Sequence, residues 1–379
     1  MNSYQIEKVL VVGEVRSLKL AFVGGFLEGR GGTERFVLEV GKRLAARDIE
    51  VGIFCHRYDP DNTYEEFEKM CVHSIQARSQ MFRRFAAYYY VRNMERLVSK
   101  ATDWGADILF LQKGFIFSKF LHRVSRKPIV SYVHNQESFY EDKNKLRRFY
   151  RKSFGLSDED MVGIDQVPVV CNSNYTAELV KARFPNASKI IVVHPGVDLN
   201  RFKPAWKDLG YLLSNGRYAP SKNQSLLVEV ASRMLHRLIL TGSLDKESGG
   251  PYFDELVKSR PSNVTILSNL PDDVIISYIQ DCSIFLSPSV DEPFGLASVE
   301  AMACGKPVIG LNSGATPEVL STVGRICGAD PREWVDSVEE LMLDSELRKE
   351  LGRRSYENAQ AYSWDSTVAN LERIFYSCL

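Results

Sequence analysis

Short apolar runs alternate with longer amphipathic stretches along most of the chain, a pattern typical of βα units with parallel strands. The runs fall into an earlier and a later set of about six each, which predicts an α/β protein with two doubly wound parallel sheets. The earlier runs are Leu18 to Val23, Val51 to Cys55, Ile108 to Leu111, Ile129 to Val133, Val167 to Cys171 and Ile190 to Val193. The later runs are Tyr211 to Ser214, Arg237 to Leu240, Val264 to Leu267, Ile284 to Leu286, Val308 to Leu311 and Gly324 to Ile326.

A segment with proline and glycine lies between the two sets, from His194 to Asp198. Proline restricts its own backbone and the residue before it, and glycine permits unusual backbone angles, so this segment suits a crossing between domains. We therefore expect one Rossmann-like domain over residues 1–195 and a second over residues 196–363. The last stretch, residues 364–379, has a helical pattern and could pack back on the first domain.

Composition and charge narrow the class of protein. With 379 residues, of which 44% are hydrophobic and 25% charged, the chain has an ordinary globular composition and room for two domains. Lysine plus arginine and aspartate plus glutamate both number 48, so no overall charge favours nucleic acid. The seven cysteines are scattered without metal-site spacing, as expected of reduced thiols in a cytoplasmic protein. There is no signal-peptide pattern and no run of about 20 apolar residues, so neither secretion nor membrane spanning is expected.

Two basic, aromatic stretches leave a peripheral membrane contact open. They run from Gln76 to Lys100 and from Lys143 to Phe154. Either could touch anionic lipid headgroups, as in peripheral enzymes with lipid-linked acceptors. The interpretation we favour is a solvated helix face with a buried aromatic stripe.

The most informative stretch runs from Ser287 to Val308. It has the pattern of a strand end, a loop that holds Glu292, and a helix that opens near Gly295 and closes at Gly305. In open α/β sheets, ligands bind beyond the carboxyl ends of strands, where helix amino termini present N–H groups and a positive dipole end. An anionic diphosphate would suit that position.

Two glutamates separated by seven residues, Glu292 and Glu300, fall before and inside this helix. A carboxylate accepts paired hydrogen bonds from vicinal hydroxyls, so each could hold a sugar or a ribose. The alternative is a surface acid on the loop and a solvated acid on the helix. The apolar and small neighbours of Glu300 favour the functional interpretation, because a carboxylate in such surroundings is costly without a partner.

A second constellation, Leu213 to Gln224, again has the pattern of a strand, a glycine-containing loop and a helix. Arg217 and Lys222 would bring a planar guanidinium and a compact ammonium to one place beside a helix amino terminus. Two such cations could hold a diphosphate and stabilise it as a leaving group. A basic surface loop is the alternative, and the downstream glutamate pair makes the functional interpretation the better one.

Three further features gain meaning only from this context. The glycine-rich loop from Val23 to Glu34 lacks the G-x-G-x-x-G spacing of a dinucleotide site and could simply be a tight turn. His134 follows the strand Ile129 to Val133, where a lone histidine is more often structural than catalytic. Ser173 could cap a helix that starts near Tyr175.

Taken together, these residues resemble the large family of retaining glycosyltransferases with the GT-B fold, whose hallmark is a pair of glutamates with seven residues between them. The resemblance runs from about Leu18 to Phe375. Its parts, in order, are Gly31-Gly32-Thr33-Glu34, His134, Asn172-Ser173, Pro195-Gly196-Val197-Asp198 with Phe202 and Pro204, Gly216-Arg217 with Lys222, Thr241-Gly242, and Glu292-Pro293-Phe294-Gly295-Leu296 through Glu300.

The resemblance implies two Rossmann-like domains that face each other across a cleft, with a nucleotide-sugar donor and a hydroxyl acceptor. Glu300 would bind the donor ribose, Glu292 the hydroxyls of the transferred sugar, and Arg217 with Lys222 the diphosphate. The other residues that it assigns to the site are His134, facing the sugar, the backbone N–H groups of Phe294, Gly295 and Leu296, and the glycines Gly32, Gly216 and Gly242. It further implies that no metal or other cofactor is needed, and that a hexose-type sugar leaves with retention at its anomeric carbon.

Departures from the family pattern and competing functions qualify what the resemblance implies. Asn223 stands where glycine is common, and Thr241-Gly242-Ser243 lacks a second glycine, which leaves the donor base open. The apolar segment Val9 to Val12 has no functional explanation. A nucleotide-sugar epimerase or hydrolase on the same scaffold, and a non-catalytic binding protein, are the alternatives. The sugar, the base and the class of acceptor, whether glycan, lipid-linked or small molecule, stay open.

Overall fold

The structure is a computed structural model of the 379-residue chain. It describes residues 17–77, 86–112, 121, 124–135, 167–185, 187, 189–244 and 249–379, and the side chains of residues 86–91 are not described. The described residues form two compact units. Those up to Val130, together with Ser377–Leu379, belong to the first unit, and those between Ser131 and Tyr376 belong to the second. The domain boundary near Pro195 stays a prediction.

The first sheet has seven strands in the order β5-β3-β1-β6-β7-β8-β9, and the strand pairs with a described register are parallel. A separate two-stranded ribbon pairs β2 with β4. The strands are β1 Lys19–Val23, β2 Phe26–Leu27, β3 Glu50–Cys55, β4 Arg57–Tyr58, β5 Cys71–Ser74, β6 Ile108–Leu111, β7 Ile129–Val133, β8 Val169–Cys171 and β9 Ile190–Val192.

The second sheet has six parallel strands in the order β12-β11-β10-β13-β14-β15. Its strands are β10 Tyr211–Asn215, β11 Arg237–Gly242, β12 Val264–Ser268, β13 Ile284–Ser287, β14 Val308–Leu311 and β15 Arg325–Cys327. Successive residues of one strand enter different core clusters, as with Leu212 on one face and Leu213 on the other. Both faces are therefore covered, which is why these strands are nearly continuous apolar runs.

In the described residues, helices lie between the strands and after the last strand. They are α1 Gly32–Ala45, α2 Ala86–Asp103, α3 Asn174–Arg183, α4 Gln224–Ala231, α5 Gly250–Ser259, α6 Asp272–Asp281, α7 Leu296–Ala303, α8 Thr316–Leu320, α9 Pro331–Leu343, α10 Ser345–Ala359 and α11 Trp364–Tyr376. Short 3-10 turns span Pro60–Asn62, Glu65–Lys69 and Pro220–Lys222. The final helix α11 confirms the helical pattern predicted at the end of the chain.

The predicted elements are confirmed in the described residues. Each of the twelve apolar runs overlaps a strand, and the fold class is α/β with parallel sheets. The edge strand β5 was not predicted, because its side chains are only half-buried or exposed and form no apolar run. The apolar segment from Val9 to Val12 lies outside the described residues.

The proline- and glycine-containing segment after β9 is held by the start of α11, within the second unit. Val197 forms an isolated parallel bridge with Ser363. A Cβ on Gly196 would stand 2.2 Å from the backbone nitrogen of Trp364, so only glycine allows this close approach. The segment is therefore a tightly packed part of the second unit.

Candidate active site

The loop that carries Glu292 joins β13 to α7. The helix begins at Leu296 with Gly295 as its N-cap, and it ends before Gly305, so both predicted limits are confirmed. Gly295 has a φ of 97° and Gly305 a φ of 71°, conformations that side chains disfavour. The first N–H groups of a helix lack intrahelical acceptors, so the start of α7 can receive an anion.

Lys222 and Glu292 meet directly in the structure. The Nζ atom of Lys222 lies 2.5 Å from Oε2 of Glu292, and both side chains are largely buried, with 28% and 13% of their surface exposed. The backbone N–H of Val290 also donates to the carbonyl of Ser221 at 2.9 Å, which fixes the two loops side by side. The structure thus brings together two of the predicted site residues, which are 70 positions apart in the sequence.

The loop after β10 depends on a close approach between two glycines. A Cβ on Gly242 would stand 1.9 Å from the carbonyl oxygen of Gly216, so a side chain at position 242 would displace that loop. The Nε2 atom of Gln224 donates to the carbonyls of Gly216 and Arg217, at 3.3 and 3.1 Å. The backbone of Arg217 is therefore fixed while its side chain is exposed.

A third loop, after β14, holds the backbone of Glu292. The N–H of Ala315 donates to the carbonyl of Glu292 at 2.8 Å, and the N–H of Asp291 donates to Oγ of Ser313 at 2.8 Å. Gly314 has a φ of 62°, and a Cβ there would stand 2.4 Å from both N and O of Glu292. This loop was not predicted, although a serine–glycine pair one residue after an apolar strand was a signal for it.

The start of α3 contacts the same loop within the second unit. Ser173 caps α3 by accepting from the N–H of Thr176 at 3.0 Å, which confirms the predicted cap. Its hydroxyl also lies 2.6 Å from the carbonyl oxygen of Pro293 and donates to it. The hydroxyl of Tyr175 donates to Oδ1 of Asp291 at 3.2 Å. Ser173 is therefore a cap and a contact to the Glu292 loop.

Glu318, which was not predicted, lies on α8, and its carboxylate binds the first N–H groups of α3. Its Oε1 accepts from the N–H of Asn174 at 3.0 Å, and its Oε2 accepts from the N–H of Tyr175 at 3.3 Å. Oε1 also lies 2.7 Å from Nε2 of His194, whose ring stacks on Phe294. Burial acts to raise the pKa of the Glu318 carboxyl, but these hydrogen bonds outweigh burial and hold its pKa below the ordinary 4.5.

Glu300 lies on α7 among buried neighbours, as its sequence surroundings indicate. Val299 and Ala301 are fully buried, and Glu300 itself is half-buried. Burial, and after it the charge of Glu300, raise the pKa of the Cys304 thiol one turn further along the helix. The role of Glu300 toward a ribose stays a prediction.

His134 and Gly32 lie on other elements. His134 follows β7; its ring packs against Tyr132, and its carbonyl accepts from Nδ2 of Asn172 at 2.8 Å. Gly32 is the first residue of α1 in the first unit. Their roles in the site stay predictions.

Two more expectations concern metals and membranes. Within the described ranges, no group of three or more histidine, cysteine, aspartate or glutamate side chains is placed to hold a metal ion. No helix in those ranges combines the length and the apolar character needed to cross a bilayer. Of the two basic, aromatic stretches, Lys143 to Phe154 and the part with Arg83 and Arg84 lie outside the described residues.

Known proteins share sequence with this chain over most of its length. The family model described as Glycosyl transferases group 1 matches residues 197–358, and the model described as Glycosyltransferase Family 4 matches residues 30–201. Alpha-1,3/1,6-mannosyltransferase ALG2 from Homo sapiens is 27% identical over 365 residues, which cover 86% of this chain and 87% of that protein. D-inositol 3-phosphate glycosyltransferase from Corynebacterium efficiens is 23% identical over 391 residues, which cover 91% and 90%.

Solved structures share the fold. Sucrose-phosphate synthase from Thermosynechococcus elongatus has a TM-score of 0.77 at 18% identity, covering 95% of this chain and 98% of its own. Anabaena HepE in complex with UDP and glucose has a TM-score of 0.75 at 16% identity, covering 95% and 100%. The predicted GT-B fold is confirmed by these neighbours. The two family models together match residues 30–358, which identifies this chain as a glycosyltransferase of the GT-B fold, similar to the group 1 family over residues 197–358 and to Family 4 over residues 30–201.

Proposed function

We propose that this glycosyltransferase moves a hexose-type sugar from a nucleoside-diphosphate sugar to a hydroxyl acceptor and retains the anomeric configuration. The observation that carries the proposal is the 2.5 Å contact between Lys222 and Glu292 in the loop just before α7. One cation and one carboxylate are therefore in contact, and the carboxylate lies four residues before a helix amino terminus. A nucleotide sugar needs these three groups, because it presents a diphosphate next to a polyol.

The donor diphosphate would bind Lys222, Arg217 and the N–H groups at the start of α7. An ammonium has three donors, so Lys222 can bond Glu292 and still offer two N–H groups to phosphate oxygens. The exposed guanidinium of Arg217 can reach an arriving phosphate and bind two of its oxygens. HepE, one of the structural neighbours, was solved with UDP-glucose, which supports a nucleotide sugar as the donor class.

Glu292 would accept hydrogen bonds from hydroxyls of the transferred sugar, and Glu300 from the donor ribose. Glu292 is suited to that task because its backbone is held on one side by Ala315 and on the other by Ser173 through Pro293. A fixed carboxylate loses little freedom when the sugar binds. His134 would face the same sugar from the end of β7, and Gly32, Gly216 and Gly242 would let backbone approach the donor.

The proposed chemistry is front-side displacement at the anomeric carbon. The acceptor oxygen bonds to that carbon as the bond to the phosphate oxygen breaks, and the hydroxyl proton passes to the departing phosphate. Lys222 and Arg217 stabilise the charge that develops on the leaving diphosphate, so the reaction needs no metal. The acceptor belongs to one of three classes: a glycan, a lipid-linked sugar or a small molecule. We place the reaction in the cytoplasm, where a lipid-linked acceptor would bring the enzyme to the membrane surface.

A panel of UDP-, GDP- and ADP-sugars with candidate acceptors tests the proposal, with released nucleoside diphosphate and the anomeric configuration of the product as readouts. Release with acceptor only supports transfer; a new sugar without acceptor identifies an epimerase, and free sugar identifies a hydrolase. No release and no nucleoside-diphosphate binding by calorimetry would contradict the proposal.

Two substitutions link the activity to the site. We expect Lys222→Ala and Glu292→Ala each to lower transfer by two orders of magnitude or more, because losing a group that stabilises a transition state costs about 2.7–4 kcal/mol. The matched controls are Lys349→Ala and Glu346→Ala, which break an exposed lysine–glutamate pair of 2.8 Å on α10. Transfer should stay unchanged in both controls. Equal activity in the Lys222 and control variants would remove Lys222 from the site.

A further inference from the structure

The Glu292 loop is part of a closed circuit of hydrogen bonds within the second unit. Ala315, at the start of α8, donates to the Glu292 carbonyl at 2.8 Å. Ser173, at the start of α3, donates to the Pro293 carbonyl at 2.6 Å. The circuit is completed by Glu318 on α8, whose carboxylate binds the first turn of α3. Two helices therefore grip successive carbonyls of the loop, and one side chain joins the helices to each other.

Glu318 holds this junction with both of its oxygens. Oε1 accepts from the backbone N–H and the side-chain Nδ2 of Asn174, at 3.0 and 2.9 Å, and lies 2.7 Å from Nε2 of His194. Oε2 accepts from the N–H of Tyr175 at 3.3 Å. Only 19% of the Glu318 side chain is exposed, so water competes weakly for these bonds.

We infer that Glu318 is a positioning residue for the transfer reaction: it ties α8 to α3 and so fixes the loop that carries Glu292. The inference rests on the proposed function for its effect on rate. Capping alone does not explain the arrangement, because Ser173 already caps α3 through the N–H of Thr176. Glu318 accepts from the two N–H groups that precede that of Thr176, those of Asn174 and Tyr175, although it lies on α8, which is remote in sequence.

The circuit determines where the carboxylate of Glu292 stands. Its backbone carbonyl and the next carbonyl in the chain are both fixed, so the side chain starts from one defined position opposite Lys222. Without Glu318, α8 and α3 can move apart, and the carbonyls of Glu292 and Pro293 are then no longer held in fixed positions relative to each other. The phosphate contacts depend less on these positions, because Lys222 lies on the separate loop Pro220–Lys222 and α7 is packed through buried residues such as Val299.

The test compares Glu318→Ala and Glu318→Gln with a matched control, Glu333→Ala. Glu333 also accepts from a backbone N–H, that of Gly328 at 2.6 Å, but it lies on α9. We expect Glu318→Ala to lower kcat by roughly 10- to 100-fold, as misplacement of a reacting group by about 1 Å does. The affinity for UDP or GDP should change far less than kcat. Glu318→Gln keeps an acceptor oxygen and should recover part of the rate, and Glu333→Ala should keep kcat.

Hydrogen exchange of the free protein provides a readout that does not depend on catalysis. Glu318→Ala should speed exchange of the amides of Asn174, Tyr175 and Ala315, and Glu333→Ala should not. If the wild-type enzyme turns over no sugar nucleotide, the proposed function fails while the exchange pattern still tests the positioning role. Unchanged exchange at Ala315, or a kcat that falls only in proportion to the folded fraction, would overturn the inference. Should Glu318→Ala not fold, Glu318→Gln decides by the same two measurements.

Discussion

A single methyl group at position 314 should disturb both folding and catalysis. Gly314 has a φ of 62°, and a Cβ there would stand 2.4 Å from N and O of Glu292. A left-handed backbone costs a non-glycine residue about 1–2 kcal/mol. Overpacking against neighbours that cannot yield costs about 1–3 kcal/mol more. We therefore expect Gly314→Ala to lower the free energy of unfolding by about 2–5 kcal/mol in total.

Gly210→Ala separates the two contributions. Gly210 has a φ of 74°, but its added Cβ would meet nothing within 4 Å. This variant should lose only the backbone part, about 1–2 kcal/mol. The difference between the two variants then measures the contact with Glu292, and urea unfolding followed by tryptophan fluorescence gives both values.

The same contact sets the expected loss of activity. Ordinary van der Waals contact begins at 3.4 Å, so the backbone of Glu292 has to move by about 1 Å in Gly314→Ala. A displacement of about 1 Å at a reacting group costs roughly 100-fold in rate. Gly210→Ala should keep wild-type transfer at a temperature where all proteins are folded. Equal unfolding energies and equal transfer rates in the two variants would refute the packing of Gly314 against Glu292.

Three further outcomes follow from other parts of the molecule. Gly242→Ala should weaken UDP or GDP binding, measured by calorimetry, roughly 10- to 100-fold, because displacing the Arg217 loop loses a charged hydrogen bond of about 1.5–3 kcal/mol. Gly250→Ala is the control and should bind normally, because a Cβ at position 250 would meet open space. Burial acts to raise the pKa of Asp208, but hydrogen bonds from a serine, an arginine and a backbone N–H hold its pKa below the ordinary 3.8. These bonds stabilise the protein fully above that pH, and their contribution is lost as the pH falls through the folded pKa. The difference in melting temperature between wild type and Asp208→Asn should therefore shrink at acid pH, and a constant difference would contradict this expectation. A maleimide should label two of the seven thiols quickly in the native protein, exposed Cys71 and half-buried Cys378, because the others are buried, and rapid labelling of a third thiol would show an opening that the structure lacks.

The strands and the helix start at the site could be predicted because each is a local pattern. Buried parallel strands are largely apolar, and each of the twelve apolar runs overlaps a strand. The limits of helix α7 are indicated by glycines at both ends, Gly295 and Gly305. The edge strand β5, Cys71–Ser74, has no such pattern because it is not buried on both faces.

The contacts around Glu292 were predictable only in part. Basic side chains are expected near a glutamate loop from the geometry of parallel sheets, and of the two predicted cations Lys222 contacts Glu292 in the structure. Gly314 and Glu318 were missed because a single sequence does not indicate which remote residues meet. Glu318 is hydrogen-bonded to Asn174, which lies 144 positions away in the sequence. It is one acidic residue on a five-residue helix, so no local sequence pattern indicates its role. Arg217 lies on its predicted loop, and its role stays a prediction.

The bridge between Val197 and Ser363 has a consequence for how the protein is made. A ribosome releases the first of these residues long before the second, so Val197 has to wait for its partner during synthesis. Gly196 cannot seat against Trp364 until α11 has emerged. The second unit should therefore complete its folding only after α11 has been synthesised. A stop codon introduced before residue 363 would leave a nascent chain with this junction permanently open, a natural target for chaperones and proteases.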